Sequence, residues 1–587
     1  VPTVRIPLVG SFNQRGLTGN TALTLNEDQR FLNCTFCVVQ NPVTGKAAIY
    51  AEKRPGWGVD STVSSGLAAT ALIKPQLFSS PVSAFGETNS ALYVGQINVG
   101  NITGRALHMT ETLISASSHV LIKSSDGTGW YYTDGAKDTL TYTGFTSSGQ
   151  LTVSTIADTT GIYPGQLITG NTIGAGARVS TVTASTSTIT LTVANTANST
   201  GAIITKEPIA KILSANFLTT GTRISAFAPM DGYHFYATDD GNINNSDLNT
   251  FTSYSATGRL AVQQSPDPSV GIATQKNAIV VFGLNSKEVF QNAGLATGSP
   301  LLPVPQLAES IGCLDQRSIT QLGDDIFFVS TPSDGDIGVF RMRGLTSTKI
   351  STPVVDRIIG TAAVNGAIYA SSFTVGGYPY AAFSISVAAD APASDILLET
   401  GDFILLESSF HLVIDDTAGQ TAAFVRMLIY NITLNIWSEW DCNQATFIDA
   451  IGSGTTKKLL AASRFNTSGK VYAIDPASQG QMFQDDGSAF TMEVRTSKLD
   501  LGTSNLKIID KIALICDKQS AGTPTLSWSD DDFSTYSTPV AFDLTSNQPK
   551  ITRCGSHRNG RSYKLSHSSN AMFRAEALEI TYRVGLS

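Results

Sequence analysis

The stretch NAIVVFGLNSKEVFQNAG, Asn277 to Gly294, decides how the rest of the chain is read. Ile279, Val280, Val281 and Phe282 form an unbroken apolar run, which suits a strand buried on both faces. A polar turn follows, and the second half alternates as a more exposed strand does. The unit is a hairpin, and it recurs. GYHFYATDDGNINNSDLNTF starts at Gly232 and DDIFFVSTPSDGDIGVFRMRG at Asp324. NGAIYASSFTVGGYPYAAFSIS starts at Asn365, AFVRMLIYNITLNIWSEWDC at Ala423 and KKLLAASRFNTSGKVYAIDP at Lys457. Earlier copies are SALYVGQINVG around Leu92 and HVLIKSSDGTGWYYTDG from His119, whose Gly-containing turns suit tight hairpins. The hairpins start roughly 35 to 60 residues apart, near the ~40–50 residue period of propeller blades. About six or seven blades closing a ring is the expectation.

Around this core the texture changes in three places. From Gly144 to Thr205 only Asp158 and Arg178 carry charge, and alternating strands such as STITLTVANT predict a small inserted β domain. ADAPASDILLETGDFILLESSF, Ala389 to Phe410, predicts an extra hairpin inside one blade. After about Gly487 a run of strands predicts a C-terminal β-sandwich. The expected fold class is all-β and multidomain, with a β-propeller-like core, an inserted β domain and a C-terminal β-sandwich. The divisions are 1–60, a strand segment joining the core; 61–143, the first blades; 144–205, the insertion; 206–486, the remaining blades with the 389–410 hairpin; and 487–587, the sandwich.

Bulk properties agree. At roughly 150 residues per domain, 587 residues make about four units. Helix-forming runs at 3.6 spacing are hard to find. A net charge of −8 argues against a protein that grips nucleic acid, because that affinity comes from Lys and Arg neutralising phosphates. Six cysteines in so long a chain make no disulfide framework and fit a reducing assembly compartment. No apolar run reaches the ~18 residues of a membrane helix and no secretion signal is visible, so no membrane anchor is expected.

Several motifs carry possible chemistry. Cys34 and Cys37 form a CxxC, but no second ligand pair follows at zinc spacing, so small buried hydrophobes are expected. Asp239, Asp240, Asn242, Asn244 and Asp247 offer calcium-type oxygens, yet the EF-hand spacing is missing and hairpin turns use the same residues. SWSDDDFSTYS, Ser527 to Ser537, resembles an Asp-box turn, with Ser529, Asp531, Thr535 and Tyr536 in place and Phe533 where that motif has glycine. No GxSxG, HExxH or P-loop occurs, so no catalytic, cofactor or metal residue is assigned and a non-enzyme is expected. Arg553, Arg558, Arg561 and Lys564 form a basic cluster around Tyr563, a candidate subunit or partner contact.

Taken in order, KRPGW (Lys53 to Trp57), the Asn277 hairpin, IGCLDQRSITQLGDDIFFVS (Ile311 to Ser330) and RNGRSYKLSHSSNAMFRAEALEITYRVG (Arg558 to Gly585) resemble the tail hub proteins of short-tailed bacteriophages. These are also called packaged-DNA stabilisation, nozzle or tail tubular proteins. The resemblance implies a virion tail protein assembled in the host bacterial cytoplasm, in a homo-oligomer of six copies. It implies attachment to the portal-adaptor or head-completion protein, contact with tail fibre, spike or needle proteins, and transient passage of double-stranded DNA. The alternative from another class is a carbohydrate-binding or carbohydrate-cleaving receptor-recognition propeller of the tail.

Overall fold

The computed structural model describes residues 2–585 except 10–29, 41–46, 64–65, 115–116, 134–140, 157–158, 160–161, 220, 263–266, 296–297, 331–336, 366–367, 388–423, 452–457, 475–482, 502–504, 520–521, 532 and 559. The 389–410 hairpin expected from the sequence lies outside the described residues. What is described is all-β except for short 3-10 turns and one helix, Pro353–Asn365. Thr352 starts that helix, its hydroxyl accepting the Val355 N–H at 3.4 Å. Its buried Val355 and Ile359 press on the sheets.

Among the described residues, seven sets of antiparallel strands form a ring of seven blades. Their innermost strands are Ala69–Ile73, Ala106–Ile114, Ile224–Met230, Ser269–Gln275, Thr320–Leu322, Ile368–Val375 and Phe447–Ile451. The apolar run that decided the sequence reading is the second strand of blade four, Ala278–Gly283, buried at every position because blades cover both of its faces. Each seam between neighbouring blades holds its own hydrophobic core. Phe227 and Tyr236 of blade three meet Leu121 and Tyr131 of blade two, and Phe282 of blade four meets Phe328 of blade five. Phe373 and Trp440 of blade six meet Leu459 and Tyr472 of blade seven. Ala69 and Phe85 of blade one meet Leu460 and Val471 of blade seven, which closes the circle.

The ring is fastened by an exchange of strands. Blade seven takes three strands from residues 447–474, and its outermost strand is Gly58–Thr62 from near the N-terminus. The two are zipped by the register Lys470↔Thr62, Val471↔Ser61 and Tyr472↔Val59. Separating the blades therefore requires breaking a β ladder as well as a hydrophobic seam.

The sandwich draws on both ends of the chain. One sheet pairs Thr3–Pro7, Cys34–Gln40 and Ala47–Lys53 with Lys507–Cys516 and Arg574–Val584, while the other holds Arg30–Leu32, Met492–Arg495, Ser562–His567 and Thr525–Ser529. Strands predicted merely to join the core thus complete the sandwich, because Arg574–Val584 pairs with Thr3–Pro7 over five positions. The second sheet continues blade six: Leu32 pairs in parallel with Glu439, and Glu439 accepts Arg30 at 2.7 Å.

The inserted domain grows out of blade two along the 13-residue strand Ser199–Lys211. Its C-terminal end pairs with Gly129–Thr133 of the blade, and its N-terminal end with Thr141–Thr146 of the insertion. A separate core of Val153, Ile156, Ile168, Val179, Ile189 and Leu191 shows that the insertion is a packed unit, not a long loop. Gly165, at φ +89°, lies so close to this strand that a Cβ would stand 1.7 Å from the Lys211 carbonyl oxygen.

Candidate functional site

On the axis, residues from all seven innermost strands surround a cavity of about 380 Å³. Its walls include His108, Thr110, Phe227, Thr274, Gln316, Ser371, Phe447 and Asp449. The IGCLDQRSIT segment enters this space before starting blade five. Gln316, on a one-turn 3-10 helix, accepts the Ile272 N–H of blade four at 2.8 Å and donates to His108 Nε2 of blade two at 3.4 Å. That bond makes Nε2 the acceptor and puts the proton on Nδ1. Burial, with Lys123 nearby, lowers the His108 pKa to about 4, so the ring is neutral at pH 7. The side chain of Gln316 thereby ties the start of blade five to blades four and two.

Beside it a polar clasp links blades five, six, seven, one and two. Asp315 holds Arg317 through both carboxylate oxygens, with Nε at 3.1 and 3.0 Å, and Arg317 reaches the Tyr369 hydroxyl of blade six at 3.5 Å. Arg464 of blade seven donates to the same hydroxyl at 3.2 Å and to Glu87 of blade one at 2.7 Å. Arg105, entering blade two, joins Glu87 at 3.0 Å. Partly exposed links of this kind stabilise weakly one by one and gain from being networked.

KRPGW forms the joint between ring and sandwich. Arg54 is fully buried, donates to both oxygens of Asp485 at 2.9 and 2.5 Å, and gives Nε to Asn33 Oδ1 at 2.9 Å. Burial opposes its charge, but Asp485 more than offsets this, and its pKa lies above the ordinary arginine value. The Arg54 guanidinium stacks on Phe490 at 3.9 Å, and the Trp57 N–H donates to Asp485 at 3.0 Å. Gly56 has no alternative, since a Cβ there would stand 2.1 Å from the Gln484 carbonyl oxygen. The motif marks a family resemblance but gives no sign of this role. Its Asp485 partner lies 431 positions away, and no local signal reveals it.

The basic cluster does not form one patch. Arg561 is 1% exposed, clamped on Asp530 at 2.7 and 2.8 Å and donating to the Cys554 carbonyl at 2.6 Å. Lys564 lies half-buried over the Tyr536 ring, 4.1 Å from its centroid. Arg553 and Arg558 are exposed.

The remaining motifs resolve into structure. Cys34 points into the sandwich core, donating to the Leu32 carbonyl at 3.3 Å, while Cys37, three residues on, faces the other side of the strand toward Arg574. Burial raises both thiol pKa values. Among the described residues no group of His, Cys, Asp or Glu could hold a metal ion. In the acidic turn, Asp239 accepts the Arg223 N–H at 2.9 Å, Asp240 accepts Arg259 at 2.7 Å, and Asp247 accepts Ser253 at 2.5 Å. These oxygens are committed to turns. The Asp-box-like turn is formed: Asp531 accepts Ser529 at 2.7 Å and the Thr535 N–H at 3.0 Å. Thr535 and Ser529 together lower the Asp531 pKa to about 2. Phe533 occupies the glycine position at φ +67° with its ring buried.

Residues 165–367 match the family model described as Bacteriophage P22 Gp10, beta-propeller, a span of about a third of the chain. Ring and match agree on a β-propeller, and the family matched is a bacteriophage one. The match supports reading the chain as a tail protein of a short-tailed bacteriophage. No curated protein matches the chain. Among solved structures, the computationally designed Ika8 protein is 11% identical with a TM-score of 0.33, covering 72% of this chain and 100% of its own. Sqt1 of Saccharomyces cerevisiae is 8% identical with a TM-score of 0.32, covering 72% and 98%. The phage phi92 endosialidase is 11% identical with a TM-score of 0.27, covering 91% and 72%. At these scores the likenesses carry no functional meaning. Among the described residues no helix is long and apolar enough to cross a membrane.

Proposed function

We propose that the chain is a subunit of the tail hub or nozzle. Copies form a ring below the portal-adaptor, close the packaged-DNA channel and conduct DNA during ejection. The match to the phage Gp10 propeller family carries this reading. The ring is a homohexamer whose identical head-to-tail contacts close by rotation. It is assembled in the host cytoplasm and joined by fibres, spikes or a needle. The propeller's own axis is unsuited to the duplex: a cavity of about 380 Å³ lined in part by Gln316 is of small-molecule size. The DNA path then runs between copies. The acidic net charge of the chain favours sliding over sticking.

The reading of a receptor-recognition propeller calls for paired carboxylates beside aromatic rings in a concave site. The axial cavity offers Asp449 as the carboxylate among its described lining residues, beside Phe227 and Phe447. The hub reading is preferred.

The test is genetic. Particles assembled without this chain should package DNA, then leak it, and lack the distal tail. Particles that keep their DNA and a complete tail, with only adsorption lost, would overturn the hub reading.

A further inference from the structure

A groove of about 590 Å³ lies at the seam of blades five and six, lined by Leu322, Asp325, Arg341, Arg343, Thr374, Pro379, Ile432 and Thr433 among others. It is formed by turns on one face of the ring: the turn after Thr320–Leu322, the turn after Ile368–Val375 and the turn before Ile436–Asp441.

Its charge is unbalanced. Arg341 gives Nε and an Nη to Asp325 at 3.1 and 2.5 Å, and Arg343 gives the same pair of groups at 2.7 and 2.9 Å. Two guanidiniums thus share one carboxylate, and Asp325 is 8% exposed on its side chain, saturated and turned inward. The next acid, Asp324, also attracts Arg343, but Lys276 stands 3.8 Å from it, so three cations still face two acids. Each guanidinium has five N–H donors and commits two to Asp325, which leaves three on each. The Arg343 side chain is 69% exposed, so its remaining donors face the groove and solvent. The hydroxyls of Thr374 and Thr433 line the same space, and Leu322, Pro379 and Ile432 give it apolar walls.

We infer that this groove binds a carboxylate carried on a protein segment: an Asp or Glu side chain held by Arg343 and Arg341, with apolar neighbours laid against Leu322, Pro379 and Ile432. A planar guanidinium with free paired donors is the group that takes a carboxylate at two points. A nucleic-acid backbone is the poorer fit, because phosphate binding draws its strength from many cations in a row and this groove has one in surplus. The apolar walls have nothing to contribute to a phosphate and much to contribute to a peptide. This site is independent of the hub reading and stands or falls without it.

The test uses the full-length protein and isothermal titration with four probes: N-acetyl-Pro-Glu-Leu-Glu-Pro-amide, its Gln-for-Glu counterpart, inorganic phosphate and a short DNA duplex. The acidic peptide should bind, and Arg343→Gln should weaken it about tenfold, the value of one charge-assisted hydrogen bond. Arg343→Gln leaves Arg341 on Asp325, so the blade keeps its ion pair, and an unchanged melting temperature will verify this. Thr433→Val should weaken binding by a smaller factor and serves as the second variant. Equal binding of the acidic and neutral peptides, an unaffected Arg343→Gln, or no peptide binding would overturn the proposal. Tighter binding of phosphate or of the duplex than of the peptide would overturn the assignment to a protein carboxylate.

Discussion

Arg54 and Asp485 lie 431 positions apart and form a two-point ion pair with Arg54 fully buried. They stand where the N-terminal strand Gly58–Thr62 leaves the sandwich to close blade seven. One pair therefore secures both the sandwich joint and the closure of the ring.

Arg54→Met should destabilise by about 3–5 kcal/mol, because it leaves Asp485 desolvated without its partner. The double variant Arg54→Met with Asp485→Leu should recover much of that loss, since no lone buried charge remains. Urea unfolding of the two variants and the wild type measures the difference.

Acid should weaken the fold through its buried histidines. Burial lowers the pKa of His108, His234 and His567 to about 4 each, below the ordinary value of 6.5. His234 donates Nδ1–H to the Thr250 carbonyl at 3.1 Å and accepts from the Thr112 hydroxyl at Nε2, an arrangement that needs the neutral ring. A base with a depressed folded pKa binds fewer protons folded than unfolded, so its contribution is present above 6.5 and is lost as pH falls toward 4. The melting temperature should drop between pH 6.5 and 4, and His234→Gln should show a shallower drop.

At Phe533 two terms oppose each other. Removing the buried ring costs about 3–5 kcal/mol, while the left-handed backbone costs a non-glycine residue about 1–2 kcal/mol. Phe533→Ala and Phe533→Gly should both destabilise, with glycine the milder by about 1 kcal/mol in denaturant unfolding. The reverse order would show that the turn adapts.

The basic cluster separates under charge reversal. Arg561→Glu should abolish folding of the sandwich, because it buries a carboxylate where Arg561 stood and sets it against Asp530. Arg553→Glu with Arg558→Glu should leave circular dichroism and melting unchanged, and any loss of assembly from that pair then reports a partner contact.

Much of the architecture was legible because it is local. The hairpin from Asn277 is Ala278–Gly283 with Lys287–Asn292, and the alternating Thr-rich strands of the insertion pair as Val179–Thr183 with Thr188–Leu191. What escaped depends on distant pairing. Nothing in GVDST marks Gly58–Thr62 as the last strand of blade seven, since its partner starts at Lys470. The helix Pro353–Asn365 is short, contains Gly360 and was hidden among strands. The cluster around Arg561 shows the limit for sites: four cations close in sequence do not share a surface, because Arg561, bridged to Leu499, is buried and clamped on Asp530.

The central claim is that this chain builds a ring at the base of the portal. Mass measurement by light scattering, on the purified chain alone and mixed with the portal-adaptor complex, tests it most directly. The account predicts a species of six copies, either free or formed on the adaptor. A chain that stays monomeric and leaves the mass of the adaptor complex unchanged would contradict it.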